Sequence, residues 1–141
     1  MHNTDAILHL VTNRELYDFI LLDAYDGPTL SGRLASTDFF SLAAASLTSG
    51  GICAANISLR TRLEESAVCQ SFADAFPAGS LDVRMPSDWN RLLVGSLRPL
   101  AKAEALRSEA RAMDRRREFP FPLAPFAMNA RPLGTPKRRR A

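Results

Sequence analysis

The amino-acid sequence predicts an α/β fold: a sheet with flanking helices, followed by a basic, proline-rich C-terminal tail. Two short apolar runs, Tyr17–Leu22 and Gly51–Ile57, carry the continuous apolar character of strands buried on both faces. A helix-like segment lies between them, so strand, helix and strand fit within about 40 residues, the size of a βαβ unit. The charge is also divided. Residues 1–97 hold six Lys and Arg against eleven Asp and Glu, a balance of −5, and residues 98–141 hold twelve against four, a balance of +8. An acidic body and a basic tail are two electrostatic objects within a chain of net charge +3.

The first strand, Tyr17-Asp18-Phe19-Ile20-Leu21-Leu22, ends on Asp23 and is followed by a polar loop from Ala24 to about Ser36. Thr37 is expected to cap a helix over 37–48, with Asp38 in the first turn, where the helix dipole favours an acid. That helix turns Phe39, Phe40, Leu42, Ala43 and Leu47 inward and stops at Gly50-Gly51, a C-terminal signal. The second strand covers 51–57, parallel to the first through a right-handed crossover. A second helix over 63–76 places Val68, Phe72 and Phe76 on one face and is closed by Pro77 and Gly79. Strands over 80–85 and 91–97 follow, and the short break Pro86–Asn90 permits an antiparallel pair.

The globular part is expected to end near Arg98. Pro99, at the N1 position that tolerates proline, opens a third helix to about Arg117. From Phe119 onward, prolines at 120, 122, 125, 132 and 136 argue for a segment without a regular element. The expected divisions are thus a body over 1–98, a helix over 99–118 and a disordered basic tail over 119–141.

Composition excludes several classes. No apolar run approaches the ~20 residues that span a bilayer, and Met-His-Asn-Thr-Asp lacks the basic and apolar regions of a signal peptide. A cytoplasmic protein without a membrane partner is expected. Cys53 and Cys69 are expected as buried, reduced thiols, and with two histidines no metal-ligand spacing occurs.

The chemistry-bearing pattern is Asp23-Ala24-Tyr25-Asp26. Two acids just past the carboxyl end of a strand occupy the crevice where open α/β sheets bind ligands. A carboxylate within hydrogen-bonding distance can take the proton of an amine that must become a nucleophile. Outside that pattern, Tyr25 and Trp89 read as packing residues before substrate platforms. Asn56 reads as a turn residue at a strand end.

Several segments together resemble one family. Tyr17-Asp18 followed by apolar residues and Asp-x-x-Asp, then Thr37-Asp38-Phe39-Phe40, Leu47-Thr48-Ser49-Gly50-Gly51, the strand to Asn56, and Asn90-Arg91-Leu92-Leu93-Val94 are similar to the second half of spermidine synthases and their bacterial relatives. The resemblance spans about two thirds of the chain. It implies a partial Rossmann-like sheet of methyltransferase type, holding the contiguous 4-5-7-6 portion of the family's 3-2-1-4-5-7-6 strand order. It implies aminopropyl transfer from decarboxylated S-adenosylmethionine, a co-substrate and not a tightly bound cofactor, to a polyamine precursor such as putrescine. By the same resemblance Asp23 is the catalytic base, Asp26 and Tyr25 belong to the substrate site, and Asp5-Ala6 matches the pair that contacts the adenine.

One departure is plain. The chain has no Gly-x-Gly; its glycines are 27, 32, 50, 51, 79, 95 and 134, so the family's glycine-rich donor loop has no counterpart. The chain begins one strand too late to contain it, and the strand ending at Asp23 is expected to be a sheet edge, open to a second copy or to a partner chain supplying the missing half. The expected function is therefore a spermidine synthase-like protein, incomplete or inactive alone. The alternatives are a fragment of an S-adenosylmethionine-dependent methyltransferase and a non-catalytic partner-binding module. The basic clusters Arg115–Arg117 and Lys137–Arg140 also leave nucleic-acid contact open, beside the plainer reading of a solvated tail.

Overall fold

The computed structural model describes residues 4–23, 25–26, 29–30, 32–58, 62–85 and 90–133. A short helix α1 (Ala6–Thr12) leads into strand β1 (Tyr17–Leu22), then a two-stranded ribbon of β2 (Tyr25–Asp26) and β3 (Thr29–Leu30). Helix α2 (Thr37–Ala45), strand β4 (Leu47–Ile57), helix α3 (Arg62–Ala75) and strands β5 (Gly79–Arg84) and β6 (Arg91–Ser96) follow. Helices α4 (Ala103–Arg116) and α5 (Ala124–Asn129) and strand β7 (Ala130–Pro132) complete the described elements.

The main sheet has the order β1-β4-β6-β5-β7. β1 and β4 are parallel, with Ile20 beside Cys53 and Leu22 beside Ala55. β6 lies antiparallel between β4 and β5, and β7 adds antiparallel to β5. The first four strands stand in the expected 4-5-7-6 sequence, and the fold is the partial Rossmann-like α/β sheet with flanking helices. Among the described residues β1 is one edge of that sheet and β7 the other.

Core residues follow the strand period of two. Leu22, Cys53, Ala55, Ile57 and Leu93 join Phe39, Phe40, Ala43 and Ala44 of α2 and Val68 and Phe72 of α3, with Phe76 just beyond it, in one buried cluster. The Phe40 and Phe72 rings meet edge-on at 5.1 Å, and Phe72 and Phe76 lie 4.8 Å apart, spacings at which aromatic quadrupoles attract. Gly95 makes this possible. A Cβ there would collide with the Phe76 ring and lie 2.9 Å from that of Phe72.

Four expectations about local structure change. The cap of α2 is Ser36, not Thr37: the Ser36 side chain accepts from the Phe39 amide, while Thr37 Oγ1 donates to Ser71 Oγ at 2.9 Å. The helix ends at Ala45, and Leu47 and Gly50-Gly51 lie within β4 instead of closing a helix. Leu47 is 3% exposed and pairs with Tyr17, whereas Ile52 pairs with Phe19, so β4 bulges between them. Gly51 suits the bulge because a Cβ there would stand 2.8 Å from the Tyr17 carbonyl oxygen.

The proline-rich segment is the third. It was expected to lack regular elements, yet residues 124–129 form α5 and 130–132 join the sheet as β7. Asp114 explains the helix, since its carboxylate accepts from the Leu123 and Ala124 amides at 2.6 and 2.9 Å. Pro125 sits in the first turn, where no intrahelical donor is lost, and Pro132 sits on an edge strand, where no inner ladder is broken. Pro99 does not open α4, which is preceded by Lys102 and begins at Ala103. Residues 134–141 lie outside the described residues.

Candidate functional site

β1 and β4 run side by side in the same direction, so their carboxyl ends meet at one rim of the sheet. Asp23 follows β1 directly and is exposed. The Leu22–Ala55 register brings Asn56 opposite it, and Asn56 Nδ2 donates to Asp23 Oδ1 at 2.9 Å. This bond orients the carboxylate from the neighbouring strand without neutralising it. Asn56 had read as a turn residue; it instead lies within β4 and supports the acid. The bond joins residues 33 positions apart, so only strand register could have revealed it.

Tyr25 and Asp26 form β2, pairing with Leu30 and Thr29 in a ribbon immediately beyond Asp23. Trp89 lies outside the described residues.

Asp5 and Ala6 open α1. Asp5 is the helix cap, its carboxylate accepting from the Ile7 and Leu8 amides at 3.0 and 3.1 Å. Its second oxygen is 3.9 Å from Arg33, in the connection between β3 and α2. That contact brings Asp5 to the loops that follow β1. Beside it an open cleft of about 480 Å³ is lined by Ile7, Val11, Phe39 and Leu42, with Arg33, Ser36 and Asp38 at polar positions. Its lining is an apolar floor with a few polar groups.

Other polar clusters are structural. Tyr17 accepts from Asn13 Nδ2 and shares a 2.8 Å hydrogen bond with His9 Nε2, tying α1 to the start of β1. Arg91 forks onto both carboxylate oxygens of Asp82 and bonds Glu65 of α3. Burial lowers the Arg91 pKa, but its hydrogen bonds to Asp82 and Glu65 outweigh that and hold it above the usual arginine range. Burial pushes the Cys53 thiol up to about 12 and Cys69 up to about 11, which leaves both as weak nucleophiles at neutral pH. No group of three or more His, Cys, Asp and Glu is arranged for a metal among the described residues, and no helix there is long and apolar enough to cross a membrane.

No protein-family model matches the sequence, and neither does any curated protein sequence. Solved structures do match the fold. A probable spermidine synthase from Corynebacterium glutamicum ATCC 13032 aligns with a TM-score of 0.69 at 18% identity, over 94% of this chain and 47% of that one. Human methyltransferase-like protein 13, solved in complex with SAH, aligns with a TM-score of 0.67 at 22% identity, over 85% of this chain and 60% of the other. The chain spans about half to three fifths of these structures. At such identities the likeness is one of fold, a Rossmann-like sheet of the methyltransferase type.

Proposed function

We propose that this chain is the acceptor-side half of a spermidine synthase-like transferase, a cytoplasmic protein of polyamine biosynthesis. The observation that carries the reading is Asp23, exposed at the carboxyl end of β1 and held by Asn56 from the parallel neighbour β4. In the reaction, a neutral amine nitrogen of a diamine such as putrescine forms a bond to the propyl carbon next to the donor's sulfonium. The carbon–sulfur bond breaks with its electron pair passing to sulfur, and Asp23 accepts the proton that the nitrogen sheds. Asp26 and Tyr25, on the ribbon beyond Asp23, would hold the diamine's distal end.

Decarboxylated S-adenosylmethionine would supply the aminopropyl group. Asp5 and Ala6, with the apolar cleft between α1 and α2, suit its adenine; residues for its ribose and tail have no counterpart in this chain. A partner chain or a second copy at the β1 edge would complete the site. The methyltransferase alternative is favoured by the SAH-bound structural neighbour, but Asp-x-x-Asp gives methyl transfer no evident use.

Chemical-shift titrations separate the readings. Putrescine should perturb amides around Asp23 and Asp26, with affinity reduced about tenfold or more by Asp23→Asn, the scale of a lost charged hydrogen bond. Perturbation by S-adenosylhomocysteine but not by putrescine would favour the methyltransferase fragment. Silence toward both would leave the non-catalytic partner-binding module.

A further inference from the structure

We propose that one flank of α4, together with the phenyl rings of Phe119 and Phe121, is a binding site for single-stranded nucleic acid, separate from the rim that holds Asp23. Arg107, Arg111 and Arg115 recur every four residues along α4, so they form one stripe on that helix. Four residues rise about 6 Å along a helix axis, so the exposed Arg111 and Arg115 stand about 6 Å apart along the stripe, while Arg107 at its start is half-buried with its Nε covered. Arg111 and Arg115 are exposed, and neither has an ion pair among the described residues. The other flank is neutralised, because Arg116 bonds Glu109 and Glu118.

Arg117 ends the helix in the left-handed region at φ 54°, and the chain then presents two aromatic rings. Phe119 and Phe121 are 48% and 52% exposed, with centroids 6.0 Å apart. Phe121 also meets Phe126 of α5 edge-on at 6.5 Å. The two half-exposed rings follow Arg115 within six residues of chain, and flat faces close in sequence to cations are what unstacked bases and their phosphates require. Four further cations, Lys137 to Arg140, follow in the sequence and add non-specific attraction.

An anionic membrane surface is the less suitable ligand. A helix that lies in a bilayer inserts its apolar face, and here that face is occupied: Ala110 is 7% exposed and Leu106 and Met113 are half-buried on the side that carries α5. A duplex would hide its base faces from the rings.

The test is fluorescence anisotropy with labelled single-stranded 20-mers of uridine and of thymidine, in the full chain. Four variants are compared: Arg111→Gln with Arg115→Gln, Phe119→Ala, Phe121→Ala, and a chain with Lys137 to Arg140 changed to Gln. Each phenylalanine change should weaken binding about tenfold, within the range measured for base–aromatic stacks. The double arginine change, at exposed positions that leave folding intact, should lower the salt-dependence slope by about 1.4, from ~0.7 for each phosphate contact on a single strand. The tail variant should weaken binding while keeping its dependence on the two rings. Loss of all binding in the tail variant, unchanged affinity in both phenylalanine variants, or preferential binding to phosphatidylserine vesicles would each overturn the proposal.

Discussion

At Gly95 the absence of a side chain lets Phe72 and Phe76 lie directly on β6. Substituting Gly95→Ala would drive a methyl group into the two rings, so urea denaturation should show a loss of about 1–3 kcal/mol, the usual cost of overpacking. The thiols, Cys53 buried and Cys69 only half-buried where both were expected to be buried, predict a pH dependence. Both pKa values are raised in the folded state, by burial, so the unfolded chain ionises first. Their contribution is unchanged below the ordinary thiol value of about 8.5 and is lost as pH climbs toward 11 and 12. The urea midpoint should therefore fall between pH 8.5 and 10.5, and fall less steeply in Cys53→Ala. Legibility at this scale divides by sequence distance. Asp23 and Asp26 could be found in the sequence because their pattern is local and follows an apolar run. Asn56 as the partner of Asp23, and Gly95 as the floor beneath two rings, depend on strand register that no local pattern encodes.

Between elements, Arg91 fastens α3 to the β5–β6 pair. Its side chain and that of Asp82 are only 12% and 10% exposed, and Glu65 is 25% exposed. Arg91→Ala would leave the Asp82 and Glu65 carboxylates with the more exposed Arg84, 3.9 Å from each, as their remaining cation, so it should cost about 3 kcal/mol, the low end for breaking a buried pair. Arg91→Ala combined with Asp82→Ala and Glu65→Ala should cost less than the three single losses summed, which a thermodynamic cycle in urea would measure. The strands and helices of the body were legible because apolar runs and 3.6-residue periodicity report them directly. The ends of α2 were not: a buried Leu47 serves a helix face or a strand face equally well until its neighbour Tyr17 is placed. The proline-rich segment misled for a similar reason. Its prolines fall at one helix start and on one edge strand, positions where proline costs little, and the carboxylate of Asp114 that organises them comes from an earlier element.

Across the whole molecule, the β1 edge is where the fold is open. Phe19 and Leu21 are 57% and 59% exposed on one face of that strand, and Leu8, Val11 and Leu16 lie exposed on and after α1. Among the described residues no strand pairs with the outer side of β1, and an apolar edge of that kind invites pairing. Sedimentation velocity should show concentration-dependent association of the isolated chain, shifted toward monomer by Phe19→Lys with Leu21→Lys. On the proposed function, the chain would supply the acceptor-side acids of an aminopropyltransferase but would not position the donor by itself. Positioning dominates such a reaction, because aligning amine and sulfonium carbon supplies effective molarities that a lone carboxylate, worth about 10²–10⁴-fold, does not replace. Calorimetry of the purified chain with decarboxylated S-adenosylmethionine, paired with a product assay on putrescine, tests this most directly. No saturable donor binding below about millimolar (~4 kcal/mol) and no product above background are expected; micromolar binding with turnover that disappears in Asp23→Asn would show instead that the chain positions the donor unaided.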